Sequence, residues 1–211
     1  MVLQRPEALN ALDLGMVRGV RDALEAWRDE PDVERILLEG AGDRGFCAGG
    51  DVRGLAQSIL SGNPEGAAVF FREEYALNAA IAEYPKPIVV FADGVTMGGG
   101  IGLAGHADVR IVTERSALAM PETRIGFTPD VGGTWLLARG PGRVGEYLGL
   151  TGGTMSAADA IYGGFADLLV TSERLAGVHE ALESRADPGG AVEVAMLFDE
   201  SPGTSALAHH R

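Results

Sequence analysis

Apolar residues recur at every third or fourth position over residues 13–28, so they fall on one face of a helix. They are Leu14, Val17, Val20, Leu24 and Trp27. Residues 35–40 and 88–92 form short, continuous apolar runs instead, which is typical of buried strands. A second helical stretch over residues 65–84 separates these runs. Strand and helix therefore alternate, and the predicted fold class is α/β.

The alternation continues in shorter segments. Helices are predicted over residues 97–104, 131–139, 143–150, 158–162 and 172–182, and strands over residues 108–112, 117–119 and 166–170. Beyond Ser184 the periodicity decays, and residues 186–190 form a cluster of helix breakers. The sequence therefore predicts a main domain over residues 1–184 and an irregular C-terminal tail over residues 185–211.

Length and charge narrow the function classes. The chain has 211 residues, which corresponds to one domain at the usual ~100 to 200 residues each. Its 17 basic and 30 acidic residues give a formal net charge of −13. Nucleic-acid-binding domains concentrate Lys and Arg on one face, so this balance counts against a nucleic-acid partner. No stretch reaches the ~18 apolar residues of a membrane-spanning helix, so no membrane partner is expected.

Cysteine usage indicates the compartment. Cys47 is the single cysteine, which makes an internal disulfide impossible, and the four histidines show no metal-ligand spacing. Glu7 and Asp13 lie where a signal peptide would be apolar. We therefore expect a cytoplasmic protein with no metal and no resident cofactor.

Glycine is abundant, and its 31 residues cluster in loops, several of which follow predicted strands. The first loop, residues 45–53, joins a strand to a helix, and its glycines let backbone N–H groups converge on one point. Such a loop can bind an anion or oxyanion without a side chain. The alternative is a tight connection in which Asp51 caps the following helix.

The second glycine loop, residues 93–105, follows the strand at residues 88–92. Its last glycines have the spacing of a dinucleotide fingerprint, but residues 93–99 separate them from the strand, which argues against that assignment. We interpret the loop as a helix N-terminus aimed at a ligand, with close helix packing as the alternative. His106 follows, and we interpret it as a structural hydrogen-bonding residue.

Two acidic residues mark the third segment. Glu122 and Asp130 are eight positions apart, and Gly126 and Pro129 between them interrupt any helix. Both carboxyl groups can therefore flank one cavity, where one raised and one ordinary pKa would suit acid/base chemistry. The alternative is that each acid caps the helix that follows it.

Together, residues 3–12, the two glycine loops and the acidic segment resemble the crotonase (enoyl-CoA hydratase/isomerase) superfamily, in order and spacing, as far as about Leu175. The resemblance implies a crotonase-like spiral of ββα units with peripheral helices. It also implies an acyl-CoA thioester substrate whose carbonyl oxygen accepts two backbone N–H bonds. By position, the donors would be Gly50 and Gly99.

The acidic residues place the chain within that superfamily. Hydratases resemble one another in a glutamate where this chain has Gly102, whereas Glu122 is kept and Asp130 is added. This combination is similar to the 3-hydroxyisobutyryl-CoA hydrolase branch. It implies hydrolysis of a small branched 3-hydroxyacyl-CoA such as 3-hydroxyisobutyryl-CoA, in valine catabolism. Glu122 would act as nucleophile or as base toward water, and Asp130 would orient the water or the substrate hydroxyl.

The resemblance also assigns substrate-binding residues and an assembly. Arg53 matches a basic residue that meets the CoA phosphates in relatives, Arg5 is a second candidate, and Ala48 and Asp51 would border the adenine end. CoA enters only as part of the substrate. A homo-oligomer, trimer or hexamer, is expected. Relatives in this branch continue further, into a C-terminal segment that covers the site, so the chain is expected to be shorter than they are.

Two other functions are consistent with the residues. An enoyl-CoA isomerase needs a single base, Glu122, and would leave Asp130 without a role. A non-catalytic acyl-CoA-binding protein or assembly scaffold would use the same fold without the reaction.

Overall fold

The structure is a computed structural model that describes residues 1–184 and 190–210. Most of the predicted breaker cluster at residues 186–190 therefore lies outside the described residues. The strands are β1 (Val2–Leu3), β2 (Ile36–Gly40), β3 (Ile88–Ala92), β4 (Val95–Met97), β5 (Val109–Val112), β6 (Ala117–Ala119), β7 (Thr154–Met155) and β8 (Leu168–Leu169). The α-helices are α1 (Leu14–Trp27), α2 (Val52–Leu60), α3 (Pro64–Ala82), α4 (Gly99–Ala104), α5 (Gly133–Ala138), α6 (Val144–Thr151), α7 (Ala157–Tyr162), α8 (Leu175–Glu183) and α9 (Ala191–Met196).

Two sheets organise these elements. The larger sheet has the order β1-β2-β3-β5-β8, and all its neighbouring strands are parallel. Its central strand β3 is buried at every position, which explains the continuous apolar run in the sequence. The smaller sheet has the order β4-β6-β7, with β4 parallel and β7 antiparallel to β6.

The chain passes repeatedly from the large sheet to the small one and then into a helix. β3, β4 and α4 form one such ββα unit, and β5 and β6 lead to α5 in another. After β2, bridges from Gly45 to Gly94 and from Cys47 to Thr96 take the place of the second strand. The first glycine loop therefore lies directly beside β4, which leads into the second glycine loop.

Helices α1 and α3 pack together over the core. Asp13 caps α1 by accepting a hydrogen bond from the Met16 amide, as the onset of the apolar pattern indicates. Asn63 caps α3 in the same way, at the Gly66 amide. The buried face of α3 carries Phe70, Leu77 and Ile81, but also the polar residues Glu74 and Asn78. This mixed face brings polar groups from the core side to the site described below.

Two local predictions need correction. The helix predicted over residues 97–104 begins only at Gly99, because residues 95–97 pair with β6 as strand β4. The tail predicted to be irregular contains helix α9, whose Val194 is buried in one apolar cluster with Val178 of α8. A helix of six residues is too short for its periodicity to stand out. The domain division after residue 184 stays a prediction.

None of the described helices combines the length and the apolar character that crossing a membrane requires.

Asn10 joins the N-terminal turn to the first glycine loop. Its side chain is fully buried, accepts a hydrogen bond from the Arg5 amide, and donates to the carbonyls of Ala41 and Gly45. We expect Asn10→Ala to lower the free energy of unfolding by about 1 to 3 kcal/mol, because three buried backbone groups lose their partner. The control Gln57→Ala, on an exposed position of α2, should change it by less than about 0.5 kcal/mol. Urea unfolding measures both, and equal values would contradict this role for Asn10.

Candidate active site

One cavity brings together the two predicted acids, Glu122 and Asp130, and the two predicted amide donors, Gly50 and Gly99. It has a volume of about 360 Å³ and lies between both glycine loops, α2, α3 and the segment from Pro121 to Asp130. Its polar side chains are three carboxyl groups, those of Glu74, Glu122 and Asp130, and its walls are otherwise glycine and apolar residues. No lysine or arginine lines the described part of this cavity. The cavity is therefore acidic and largely apolar, without a compensating cation.

The amides of Gly50 and Gly99 lie side by side in this cavity. The nitrogen of Gly50 is 3.2 Å from the place where a β-carbon on Gly99 would be. Gly99 begins helix α4, so its amide has no partner within the helix. Neither amide donates a hydrogen bond to any described group. Two unpaired backbone amides this close together are compatible with an oxyanion site, and the role predicted for Gly50 and Gly99 stays a prediction.

Glu122 begins a short 3₁₀ helix, Glu122–Ile125, at the wall of the cavity. Its side chain is buried and makes no capping hydrogen bond, so the capping interpretation is wrong. Oε1 lies 3.0 Å from where a β-carbon on Gly98 would be, and Oε2 has no partner among the described residues. Burial raises the pKa of Glu122 to about 7, and the charge of Asp130 adds to this effect. The group can therefore gain or lose a proton near neutral pH.

Asp130 bonds a side chain rather than a helix end. Its Oδ2 accepts a hydrogen bond of 2.7 Å from the hydroxyl of Tyr75, on α3. Helix α5 begins at Gly133 with Gly132 in the capping position, so the prediction that Asp130 caps this helix is wrong. Burial raises the pKa of Asp130, and the hydrogen bond from Tyr75 opposes that rise.

A strained turn presents Asp130 to the cavity. Val131 has a φ of +46°, a left-handed conformation that costs free energy for a β-branched residue. His106 Nε2 donates a hydrogen bond of 2.8 Å to the Val131 carbonyl, since a carbonyl oxygen only accepts. The structural interpretation of His106 is thus confirmed, because it holds the turn in place.

Glu74 is the site residue that sequence reasoning missed. It is 2% exposed, and its Oε1 has no partner and lies against the backbone of Gly99. Burial, together with the charges of Asp130 and Glu122, raises the pKa of Glu74 to about 8. The signal was present, because Glu74 occupies an apolar position of the helical pattern between Phe70 and Leu77.

Gly102 stands at the position where the resemblance places a glutamate in hydratases. Neighbouring side chains fill the space beside it. A β-carbon added to Gly102 would lie 2.7 Å from the β-carbon of Val131 and 2.8 Å from Nδ2 of Asn78. A glutamate at this position would have to displace both side chains. The structure thus gives a steric reason for the glycine.

The residues predicted to bind CoA lie in three different surroundings. Arg5 and Asp51 pair with each other at 2.8 Å, and Asp51 also accepts a hydrogen bond from the Gly54 amide, so its capping interpretation is confirmed. This pair holds the first glycine loop to the N-terminal turn. Ala48 lines the cavity. Arg53 is exposed on α2 and forms no ion pair within the described residues, so it is available to a phosphate.

The ββα units and the paired glycine amides define a fold of the crotonase type. The family described as Enoyl-CoA hydratase/isomerase matches residues 1–210, and the chain belongs to this family. The predicted superfamily and fold class are confirmed. A crystal structure described as a carnitinyl-CoA dehydratase from Mycobacterium thermoresistibile is 44% identical, with a TM-score of 0.93 over 100% of this chain and 60% of that one.

Curated relatives carry different functional names. The mitochondrial 3-hydroxyisobutyryl-CoA hydrolase of Rattus norvegicus is 42% identical over 211 residues, which is 100% of this chain and 54% of the relative. The small ribosomal subunit protein mS47 of Neurospora crassa is 46% identical over 186 residues, 87% of this chain and 36% of that protein. The chain spans about half the length of the vertebrate hydrolases it matches.

The predicted cytoplasmic location is wrong on this comparison, because the vertebrate hydrolases are described as mitochondrial. The single cysteine indicates only a reducing environment. More than one compartment provides such an environment, so this signal could not identify the location. The predicted trimer or hexamer stays a prediction.

The crowding at Gly102 is testable by adding one carbon. We expect Gly102→Ala to lower the free energy of unfolding by about 1 to 3 kcal/mol, because the new β-carbon overlaps Val131 and Asn78. The matched control is Gly19→Ala in α1, where no atom lies within 4 Å of the added carbon. That variant should be more stable by about 0.5 to 1 kcal/mol. Thermal or urea unfolding decides, and a stabilised Gly102→Ala would contradict the steric explanation.

The protonation of Glu74 is testable through the pH dependence of stability. The pKa of Glu74 is about 8 in the folded state, above the unfolded value of 4.5. Its contribution to the free energy of unfolding is therefore complete below the unfolded pKa and is lost as the pH rises to about 8. We therefore expect Glu74→Gln to gain stability over the parent between pH 5 and 9 in urea unfolding. The adjacent Glu73 is the control, since the hydrogen bond from Arg18 lowers its pKa. Glu73→Gln should differ from the parent by a constant amount over the same range, because Glu73 is ionised in both the folded and the unfolded state there. Equal slopes for Glu74→Gln and the parent would contradict a protonated Glu74.

Proposed function

We propose that this protein hydrolyses acyl-CoA thioesters and that its substrate is a small branched 3-hydroxyacyl-CoA such as 3-hydroxyisobutyryl-CoA, an intermediate of valine catabolism. The observation that carries the proposal is the composition of the cavity. Glu122 and Asp130 both line it beside two free amides, whereas Val131 and Asn78 occupy the room for a hydratase acid at position 102. The identity to hydrolases from vertebrates supports the same reaction.

The residues suggest a general-base mechanism. The thioester oxygen accepts hydrogen bonds from the amides of Gly50 and Gly99, which stabilise its negative charge as water adds to the carbonyl carbon. Glu122 takes the proton from that water. A pKa of about 7 leaves a large ionised fraction at neutral pH while keeping the group basic. The carbon–sulfur bond then breaks, and the CoA sulfur leaves and takes up the proton that Glu122 received from water, which restores the carboxylate.

Asp130 and Glu74 would orient the reactants. Asp130, held through Oδ2 by Tyr75, keeps Oδ1 for the attacking water. Glu74 is protonated below about pH 8, so it can donate a hydrogen bond to the 3-hydroxyl group of the substrate. The volume of about 360 Å³ and the apolar side chains of Ile59, Phe70 and Phe71 suit a short, branched acyl group. The exposed Arg53, at the start of α2, would meet the CoA phosphates.

A protein that binds acyl-CoA without turnover is the second candidate. The observation in its favour is that a relative 46% identical to this chain is named as a ribosomal protein, so a likeness of this degree extends to proteins with no enzyme name. An isomerase is less well supported, because it uses Glu122 alone and gives no role to the Asp130–Tyr75 hydrogen bond.

Two isosteric substitutions test the hydrolase. We expect Glu122→Gln and Asp130→Asn each to slow thiol release from 3-hydroxyisobutyryl-CoA by a factor of roughly 10² to 10⁴. The first removes the base that deprotonates the water, and the second removes the carboxylate that orients it. Binding of the ester and the melting temperature should be nearly kept. Glu65→Gln changes an exposed carboxylate in the first turn of α3 that does not line the cavity, so it is the control and should retain full activity.

The assay also separates the alternatives. Binding without thiol release by the parent would favour the non-catalytic candidate. Appreciable hydration of crotonyl-CoA would reject the hydrolase, and a double-bond shift would favour the isomerase. Loss of folding in step with loss of activity would make Glu122 and Asp130 structural.

A further inference from the structure

The segment between the two catalytic candidates has little burial of its own. Residues 124–128 are all exposed, and Gly126 adopts a φ of +77°. Such a segment does not by itself fix the distance between Glu122 and Asp130. The contacts that hold it must therefore come from another element.

One contact comes from α6, where the Thr151 carbonyl accepts a hydrogen bond of 3.0 Å from Nε of Arg124. Helix α3 supplies contacts at two further points. The ring of Phe71 stacks on Phe127 with centroids 5.8 Å apart and an interplanar angle of 28°. One turn later, the hydroxyl of Tyr75 donates to Oδ2 of Asp130 at 2.7 Å. Phe71 and Tyr75 are four residues apart, so they share one face of the helix, and their rings are 5.9 Å apart.

The helix is a suitable support because its other face is locked in the core. Leu77 and Ile81 are buried, and Phe70 packs against the backbone of Gly50. The element that touches the oxyanion glycine thus also holds Asp130. The charged and titratable groups that face Asp130 are Tyr75 and Glu74 from α3 and Glu122 from the 3₁₀ helix.

We propose that Tyr75 is a positioning residue that fixes the carboxylate of Asp130 and, with the Phe71–Phe127 stack, clamps the segment between the two acids onto α3. Its role in catalysis rests on the proposed function, whereas the clamp itself does not. The hydroxyl of Tyr75 holds Oδ2, while Oδ1 has no side-chain partner among the described residues and is left for water or substrate. No other described side chain donates a hydrogen bond to Asp130.

The variant Tyr75→Phe keeps the ring and removes only the hydroxyl. Loss of a hydrogen bond to a charged group should lower kcat by roughly tenfold to a hundredfold, while KM changes by less than about threefold. The apparent pKa of Asp130 should rise, because the hydrogen bond from Tyr75 lowers it. The titration is followed by NMR on protein with ¹³C-labelled aspartate, and Asp130→Asn identifies the resonance.

Tyr84→Phe is the matched control. The hydroxyl of Tyr84 donates to the Leu24 carbonyl at 2.7 Å, so the same atom is removed from a tyrosine that supports only the fold. This variant should be less stable but should keep both kcat and the titration of Asp130.

The outcomes separate the clamp from the reaction. A raised Asp130 pKa together with lower kcat in Tyr75→Phe supports the proposal, and an unchanged titration with kcat equal to that of Tyr84→Phe overturns it. If the parent releases no thiol but Tyr75→Phe still raises the Asp130 pKa, the clamp is supported and the hydrolase is rejected.

Discussion

The structure depends on the direct contact between the backbones of the two glycine loops. A β-carbon on Gly49 would lie 2.9 Å from the Met97 carbonyl oxygen, and one on Gly100 would collide with the carbonyl of Cys47. No side chain fits between the loops, so only glycine lets the amides of Gly50 and Gly99 come together. The bridge from Cys47 to Thr96 holds this contact in register with the small sheet. The oxyanion-type site is therefore a consequence of how one ββα unit packs on the next.

Several groups around this contact lower the stability of the folded protein. Three carboxyl groups share a cavity that has no lysine or arginine among its described lining residues, and burial raises the pKa of Glu74 and Glu122 into the range where enzymes exchange protons. Val131 holds a left-handed conformation beside them. Strain and desolvation of this kind persist only where the surrounding structure determines them, here the parallel sheet and helix α3. Their concentration in one cavity supports the proposal that this cavity is the functional site.

Family membership and reaction are decided by different parts of the molecule. Relatives with dehydratase, hydrolase and ribosomal names are all 42% to 46% identical to this chain. Under the proposed function, the reaction would depend on few side chains, chiefly those of Glu122 and Asp130 and the packing of Val131 against Gly102. Overall sequence similarity therefore predicts the fold more reliably than it predicts the reaction.

The sequence by itself determined the elements whose pattern is local. The apolar period of α1 and α3, the continuous run of β3, the glycine loops and the spacing of Glu122 and Asp130 could all be interpreted before the structure. Only the tertiary structure decided that Glu74 joins the two acids, that Asp130 bonds Tyr75 rather than capping a helix, and that Asn78 and Val131 close position 102. Tyr75 and Asp130 are 55 residues apart, and periodicity reports which face is buried, not what it meets. Contacts between distant segments arise from the packing of one unit on another, and that packing determined which side chains meet in the cavity.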